Sequence, residues 1–393
     1  MTDMYSKWPL KFGVFFPPIH APSQNANLAL HRDAEQIIEA DRLGFDEAWV
    51  GEHHSGGWET VGAPEVFLAY VAAKTQRIKL GTGVISLPYH NPYQAATRMV
   101  MLDHLTRGRA IMGLGPGSLP WDPAQFGQSP LDSRRRLEEG AEVIMELLTS
   151  DEPVTRKTDW FDLVNARLNL KPYTQPNFEI AVSALASPNG PRLAGRLGAS
   201  LLSIFATSKQ GYGALPNQWG VVEEEAKVHG HKVDRRNWRL VGPMHIAETE
   251  EEAHRQVQYG LKDWIYYSSR VATLGIIPED ARPEDYARIM VESGLAVIGT
   301  PEQAVAQIKR LWDNSGGFGT YVIWSHDWAN PADTLRSYEL FARYVMPSFQ
   351  NQSRHQVAAQ TFAQATRGGA LADASAARNA ATEAYEAERA KRK

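Results

Sequence analysis

Glu47-Ala48-Trp49-Val50-Gly51-Glu52-His53-His54-Ser55-Gly56-Gly57 reads as a short buried strand that ends abruptly in an acid and two imidazoles, followed by a Gly-rich turn. A carboxylate and two histidines at a strand tip are costly to bury without a use, so the stretch points to an active-site floor. Other apolar runs of strand length occur at 11–16, 78–84, 110–115, 179–183, 201–205, 240–246 and 320–324, and with 47–52 they make eight. Between the first two, 27–43 places Leu28, Leu30, Ala34, Ile37, Ile38 and Leu43 at helical spacing, and Gly44 closes it as a C-cap. The segments 133–148, 191–197 and 300–313 behave similarly. The last opens Gly299-Thr300-Pro301-Glu302-Gln303, an N-cap followed by Pro at the first helical position and a capping-box Gln.

Eight strands interleaved with helices predict an α/β fold of the (β/α)8 TIM-barrel type, with chemistry at the strand C-terminal ends. A doubly wound open sheet is the structural competitor. The barrel is expected over 1–349, with insertions at about 206–238 and 248–299 on the active face, where long insertions commonly form lids. Within the first, a Gly/Tyr/Trp/Pro loop is expected to lead into a helix at 219–229. Residues 350–393 turn to Ala, Gln, Arg and Glu, a composition that cannot bury a core and reads as a partly helical or disordered tail.

Bulk properties narrow the function. The net charge is -4 with no long Lys/Arg run before the last residues, so nothing favours nucleic acid. Cys is absent, which excludes disulfides, thiolate metal sites and Cys nucleophiles. With no run of about 18 apolar residues and no signal-type apolar segment at the N-terminus, no membrane partner is expected and the protein reads as soluble and cytoplasmic. Eleven Trp and fourteen Tyr serve core packing or an aromatic pocket for an apolar ligand.

Glu52, His53 and His54 are the candidate catalytic group, since an imidazole beside a carboxylate suits proton transfer near neutral pH. They could also simply cap a loop. A metal centre is not expected: the first strand ends Phe15-Phe16-Pro17-Pro18-Ile19-His20 without a His-x-His pair, and no second His pair falls on another strand tip. The Gly-rich turns at Gly81-Thr82-Gly83 and Gly113-Leu114-Gly115 would let backbone approach a flat ligand. The second lacks the dinucleotide fingerprint. Ser187-Pro188-Asn189-Gly190 opens a helix and reads as a phosphate cradle or a plain N-cap turn.

Taken in order, Lys11-Phe12-Gly13-Val14-Phe15, Gly44-Phe45-Asp46-Glu47-Ala48-Trp49, Glu52-His53-His54, Gly81-Thr82-Gly83-Val84, His90-Asn91-Pro92, the run from Leu102 to Arg109, Asp132-Ser133-Arg134 and Gly299-Thr300-Pro301-Glu302 resemble the bacterial luciferase-like flavin monooxygenases. The segments from Phe16 to Pro22, His53 to Gly57 and Ser187 to Gly195 look most like limonene-monooxygenase-type members. The resemblance implies a two-component enzyme that receives reduced FMN from a separate flavin reductase, adds O2 to it, and uses the flavin hydroperoxide to oxygenate a small apolar substrate, terpene-like or a ketone. It implies that His53 is the imidazole beside the flavin and Glu52 the flavin-side acid. Gly83 and Val84 match a peptide beneath the ring, often a non-proline cis bond. Arg134 matches a residue near the flavin, and Ser187 and Gly190 the phosphate turn. Gly115 stands where luciferase has a cysteine, and Pro116 where the family often has a phosphate-gripping Arg, which leaves phosphate binding to Ser187, Asn189 and backbone N–H groups.

Phe16, Trp58, Trp121, Phe205 and Trp324, near strand tips, are expected to keep such a pocket dry. A homodimer is implied by analogy, with Phe67, Leu68, Tyr70 and Val71 supplying apolar contacts or facing the core. The alternatives are a deazaflavin-dependent hydride-transfer enzyme, a non-catalytic flavin-binding relative and a metal hydrolase.

Overall fold

The computed structural model describes residues 8–272 and 274–392. Eight parallel strands follow one another along the chain: β1 (Lys11–Phe16), β2 (Glu47–Val50), β3 (Lys79–Thr82), β4 (Ala110–Gly115), β5 (Glu179–Ala184), β6 (Ser200–Ser203), β7 (Trp238–Ile246) and β8 (Thr320–Trp324). Each pairs with the next, and β8 pairs back with β1, so the sheet closes into a barrel. The open-sheet competitor is thereby excluded.

The surrounding helices are α1 (Ala26–Leu43), α2 (Pro64–Ala72), α3 (Pro92–Thr106), α4 (Ser133–Thr149), α5 (Asn189–Leu197), α6 (Lys209–Val228), α7 (Pro301–Ser315) and α8 (Pro331–Leu340). Their ends obey local chemistry. Gly44 caps α1 at φ 89°, and Thr300 with Gln303 forms the capping box of α7. On α2, Leu68 and Val71 face the core, while Tyr70 is exposed.

Side-chain alternation decides what enters the barrel. On β1, Phe12, Val14 and Phe16 join the layer between barrel and helices, whereas Phe15 points inward to join Trp49, Ile111 and Trp324. Phe16, expected in the pocket, thus packs between barrel and helices, and Phe15 takes the inward position. Inside, Trp49 fills the space that the glycines leave: a Cβ on Gly81 would lie 2.6 Å from the indole, and one on Gly83 2.7 Å from Phe15. These glycines are required by internal packing.

Below Trp49 lies a buried ion cluster. Arg239, 1% exposed, donates to both oxygens of Glu47 at 2.7 and 2.9 Å and to Glu179 at 2.5 Å. The Trp49 indole N–H donates to Glu47 Oε2 at 3.1 Å.

The 207–237 insertion differs from expectation. It is the continuous helix α6, with Pro216 inside it. Pro removes an amide donor, and the carbonyl it leaves free on Tyr212 accepts instead from the Asn314 side chain at 2.7 Å. Leu215, Gln218, Trp219, Val222 and Ala226 are buried at helical spacing, so packing outweighs the local breaker.

The 248–299 insertion contains helices Glu250–Gln256, Leu261–Tyr266 and Tyr286–Glu292, and its buried residues join the interior core over the barrel mouth. The tail forms one helix, α9 (Arg354–Lys391), with no buried residue. Among the described residues no helix is long and apolar enough to cross a membrane.

Arg239→Met is expected to lower stability by about 3–5 kcal/mol, because it strands two carboxylates inside the barrel. Urea unfolding followed by tryptophan fluorescence measures this, and a loss under 1 kcal/mol would show that the cluster is solvated.

Candidate active site

β2 stops at Val50, and Gly51 begins the loop that carries Glu52, His53 and His54 over the C-terminal mouth. Glu52 is 2% exposed and accepts three hydrogen bonds: from His54 Nε2 at 2.9 Å, His90 Nε2 at 2.8 Å and the Ser86 amide at 3.0 Å. Burial alone would raise its pKa, but these donors and the nearby His90 bring it below the usual carboxylate range. Glu52 raises the pKa of His54 in turn, against a smaller opposing effect of burial. Glu52 and His54, both expected as catalytic, are thus occupied in a clamp joining the loops after β2 and β3.

That cluster also has the composition of a metal site, with ligand-type atoms of Glu52, His54 and His90 within 4.8 Å of one another. The hydrogen-bond chemistry argues otherwise. Arg98 donates to His90 Nδ1 at 3.1 Å, and a guanidinium cannot accept, so His90 carries its proton on Nε2 and aims it at Glu52. A metal would need that nitrogen's lone pair.

His53 faces the other way. Its Nδ1 donates to Asp122 Oδ2 at 2.9 Å, and Asp122 also accepts from the His54 amide at 3.1 Å and the Ser55 hydroxyl at 2.5 Å. Asp122 is fully buried; burial alone would raise its pKa, yet these donors and the His53 charge lower it. On the far side of the ring, Nε2 lies 3.4 Å from Glu59 Oε2 and 3.4 Å from the Ser118 hydroxyl. Burial would lower the His53 pKa, but Glu59 and Asp122 together raise it. Burial pushes Glu59 up to about 7.

Asp122, Ser118, Glu59 and Tyr267 escape the sequence reading. Asp122 carries one local signal, an acid before Pro123 at the start of a helical turn, but its partner is 69 residues away. Tyr267, which donates to Glu59 across 208 residues, carries none.

The remaining expected residues divide. The Gly83–Val84 peptide is cis, in the form the resemblance implied. Gly115 packs against Val84 and Ser183, where a Cβ would sit 2.5 Å from Val84. Ser187, Asn189 and Gly190 are half-buried at the start of α5, where Ser187 Oγ accepts from the Asn189 amide at 3.2 Å. Arg134 stands exposed on the first turn of α4. Phe205 and Trp324 are buried with ring centroids 4.3 Å apart, and Trp324 stacks on Phe15 at 5.0 Å. Trp58 is buried against Tyr266 and Tyr267, whereas Trp121 is 54% exposed. A cavity of about 400 Å³ opens beside Trp58, Arg32, Trp264 and Asp327; His53 is not in its lining. Next to it His20 bridges Asp33 and Asp327 at 2.8 Å each. Burial disfavours charge on that imidazole, but the two carboxylates hold its pKa at about 10.

Residues 10–317 match the sequence profile of the family described as "Luciferase-like monooxygenase". The chain belongs to that family. Luciferase-like monooxygenases are oxygen-incorporating oxidoreductases, and this one is 45% identical to limonene 1,2-monooxygenase of Rhodococcus erythropolis over 99% of both chains. It is 41% identical to 4-hydroxyprotoasukamycin monooxygenase of Streptomyces nodosus subsp. asukaensis, over 86% of this chain and 92% of that one. Among solved structures, the oxygenating constituent of the Pseudomonas putida 3,6-diketocamphane monooxygenase, a type II Baeyer-Villiger enzyme in complex with FMN, superposes with a TM-score of 0.72 at 26% identity, covering 86% of this chain and 98% of that one. This luciferase-like monooxygenase therefore combines its family's barrel with the limonene-type resemblance read from its loops, and the family points to a flavin cofactor.

The lowered pKa of Glu52 sets an acid-side prediction. A carboxylate with a depressed folded-state pKa contributes stability that is present above its unfolded value of 4.5 and lost as pH falls through the folded value. Glu52→Gln is expected to flatten the decline of the urea midpoint below pH 4.5. An equally steep decline in the variant would remove Glu52 as the source.

Proposed function

We propose that the protein is the oxygenase component of a two-component system that takes reduced FMN from a separate flavin reductase and, with O2, oxygenates a small apolar, terpene-sized substrate. The observation that carries the reading is the His53 imidazole, held at Nδ1 by a buried aspartate on the C-terminal face of a barrel whose full length matches limonene 1,2-monooxygenase. The overall balance is substrate, O2 and reduced flavin going to oxygenated substrate, water and oxidised flavin.

The residues present fit FMN. Ser187, Asn189 and the Gly190 amide, at the start of the nine-residue helix α5, form a donor set suited to a phosphate monoester, and the helix end favours its charge. Val84, Gly115 and Ser183 would border the ring. Bound there, the reduced flavin supplies the two electrons that activate O2.

The chain's own groups do the rest. Asp122 fixes the His53 tautomer and orientation, leaving Nε2 to hold or deliver a proton. Phe15, Phe205 and Trp324 wall the barrel mouth with buried aromatic surface that excludes water. Glu52 and His54 position the loop. The cytoplasm, where a reductase would supply diffusible reduced flavin, is the compartment that suits this reaction. A homodimer through α2 and α3 is supported by exposed Val66, Tyr70, Met101 and Leu105 on those helices.

The test supplies reduced FMN from a flavin reductase and NADH, with limonene and a panel of cyclic ketones under isotopically labelled O2, and follows product mass. One labelled oxygen per product is expected. His53→Ala is expected to lose about 100- to 10,000-fold in coupled turnover. No labelled product across the panel, or full coupling in the variant, would overturn the reading. Activity with reduced deazaflavin under nitrogen would replace it by hydride transfer.

A further inference from the structure

We propose that Glu59 is the proton partner of His53, a positioning residue whose buried carboxyl group takes up and returns the proton at His53 Nε2, and that Tyr267 of the 248–299 insertion sets how readily it does so. This rests on the reading of His53 as the proton-handling group.

Three features carry it. The Glu59 side chain is only 3% exposed, and its Oε2 has no hydrogen-bond partner; His53 Nε2, at 3.4 Å, is the ring nitrogen it faces. An acid so placed is costly unless it is paired or protonated. Its other oxygen accepts from the Tyr267 hydroxyl. That tyrosine is held against the loop by Trp58, 5.8 Å away, while Val271 four residues on closes over Gly56, where a Cβ would come within 2.8 Å.

The charges around the pair explain why the proton can move. His53 is faced by Asp122, Glu59, Glu52 and His54, and Glu59 by His53, Tyr267 and Asp122. Asp122 already anchors Nδ1 as an anion, so a Glu59 anion beside a neutral His53 would place two uncompensated negative charges in the buried set, and the proton stays shared within the pair. When the N–H bond at Nε2 breaks and an O–H bond forms at Oε2, imidazolium and carboxylate become imidazole and carboxylic acid. The pair's net charge is zero throughout and no electrons are transferred. The elevated pKa of Glu59, about 7, brings its affinity for the proton up toward that of an imidazole.

A purely structural role makes a different prediction. If Glu59 only tethers the loop to Tyr267, Glu59→Gln keeps the accepting oxygen and leaves His53 unaltered. The measurement is an NMR titration of labelled histidine in the flavin-free protein, with the His53 signal among the 12 histidines identified by its absence in His53→Gln. Glu59→Gln is expected to lower the His53 pKa by about one to three units, since it removes an opposite charge a few ångströms away. Tyr267→Phe withdraws a donor that stabilises the Glu59 anion, and is expected to shift His53 in the same direction by less. Tyr267→Phe decides alone should Glu59→Gln not fold. An unchanged His53 titration in a folded variant overturns the proposal. Because no flavin, O2 or substrate is present, that failure is separate from failure of the oxygenation assay.

Discussion

Trp49 is the side chain on which the barrel interior is built. Its indole occupies the space between β2, β3 and β4, and only glycine at 81 clears it. A large ring at the centre needs a floor, which Arg239 provides with its guanidinium 5.4 Å from the indole and its charge shared between Glu47 and Glu179. The Trp49 N–H closes on the same Glu47. Trp49, Glu47, Glu179 and Arg239 are each paired within this column, which is the condition for keeping charge in a closed sheet. Because β2 is gripped along its length, the loop leaving Val50 begins from a fixed point.

That loop then splits its polar residues between two separate carboxylates. Glu52 gathers His54, His90 and the Ser86 amide on one side. Asp122 gathers His53, the His54 amide and Ser55 on the other. The adjacent imidazoles therefore have different partners although their sequence context is nearly the same. His54 ends on a carboxylate that also accepts from His90 and the Ser86 amide. His53 keeps one nitrogen anchored and the other free to face Glu59 and Ser118.

Much of the architecture was legible because it is written in local rules. Eight apolar runs with their intervening helical periods, Gly44 as a cap and the Thr300–Gln303 box are short-range signals, and each appears where read. The errors arise where a distant partner overrides the local signal. Pro216 reads as a breaker until Asn314 takes the carbonyl it frees. Phe16 and Phe15 are equally apolar, and only the strand's phase separates pocket from helix layer. Glu52-His53-His54 is a single run in the sequence, and nothing local in it shows that its side chains turn to different partners. Those partners include Asp122, His90 and Glu59, whose pairings no local pattern encodes.

The 248–299 insertion completes this arrangement, and its attachment explains why it acts as part of the barrel. Gly260 donates to the Trp328 carbonyl at 2.9 Å and lies too close to the Asp327 carbonyl to carry a side chain. Trp264 packs edge-on against Trp328 at 5.2 Å. The insertion is thus seated on the loop after β8 before it crosses to the loop after β2, where Tyr267 and Val271 meet Glu59 and Gly56. Its buried residues form one continuous core with Phe205, Val241 and Trp324 of the barrel. The segment is thus attached at both sides of the mouth and shares its interior core. Tyr267 therefore reaches Glu59, beside His53, from a segment that is itself anchored on the loop after β8.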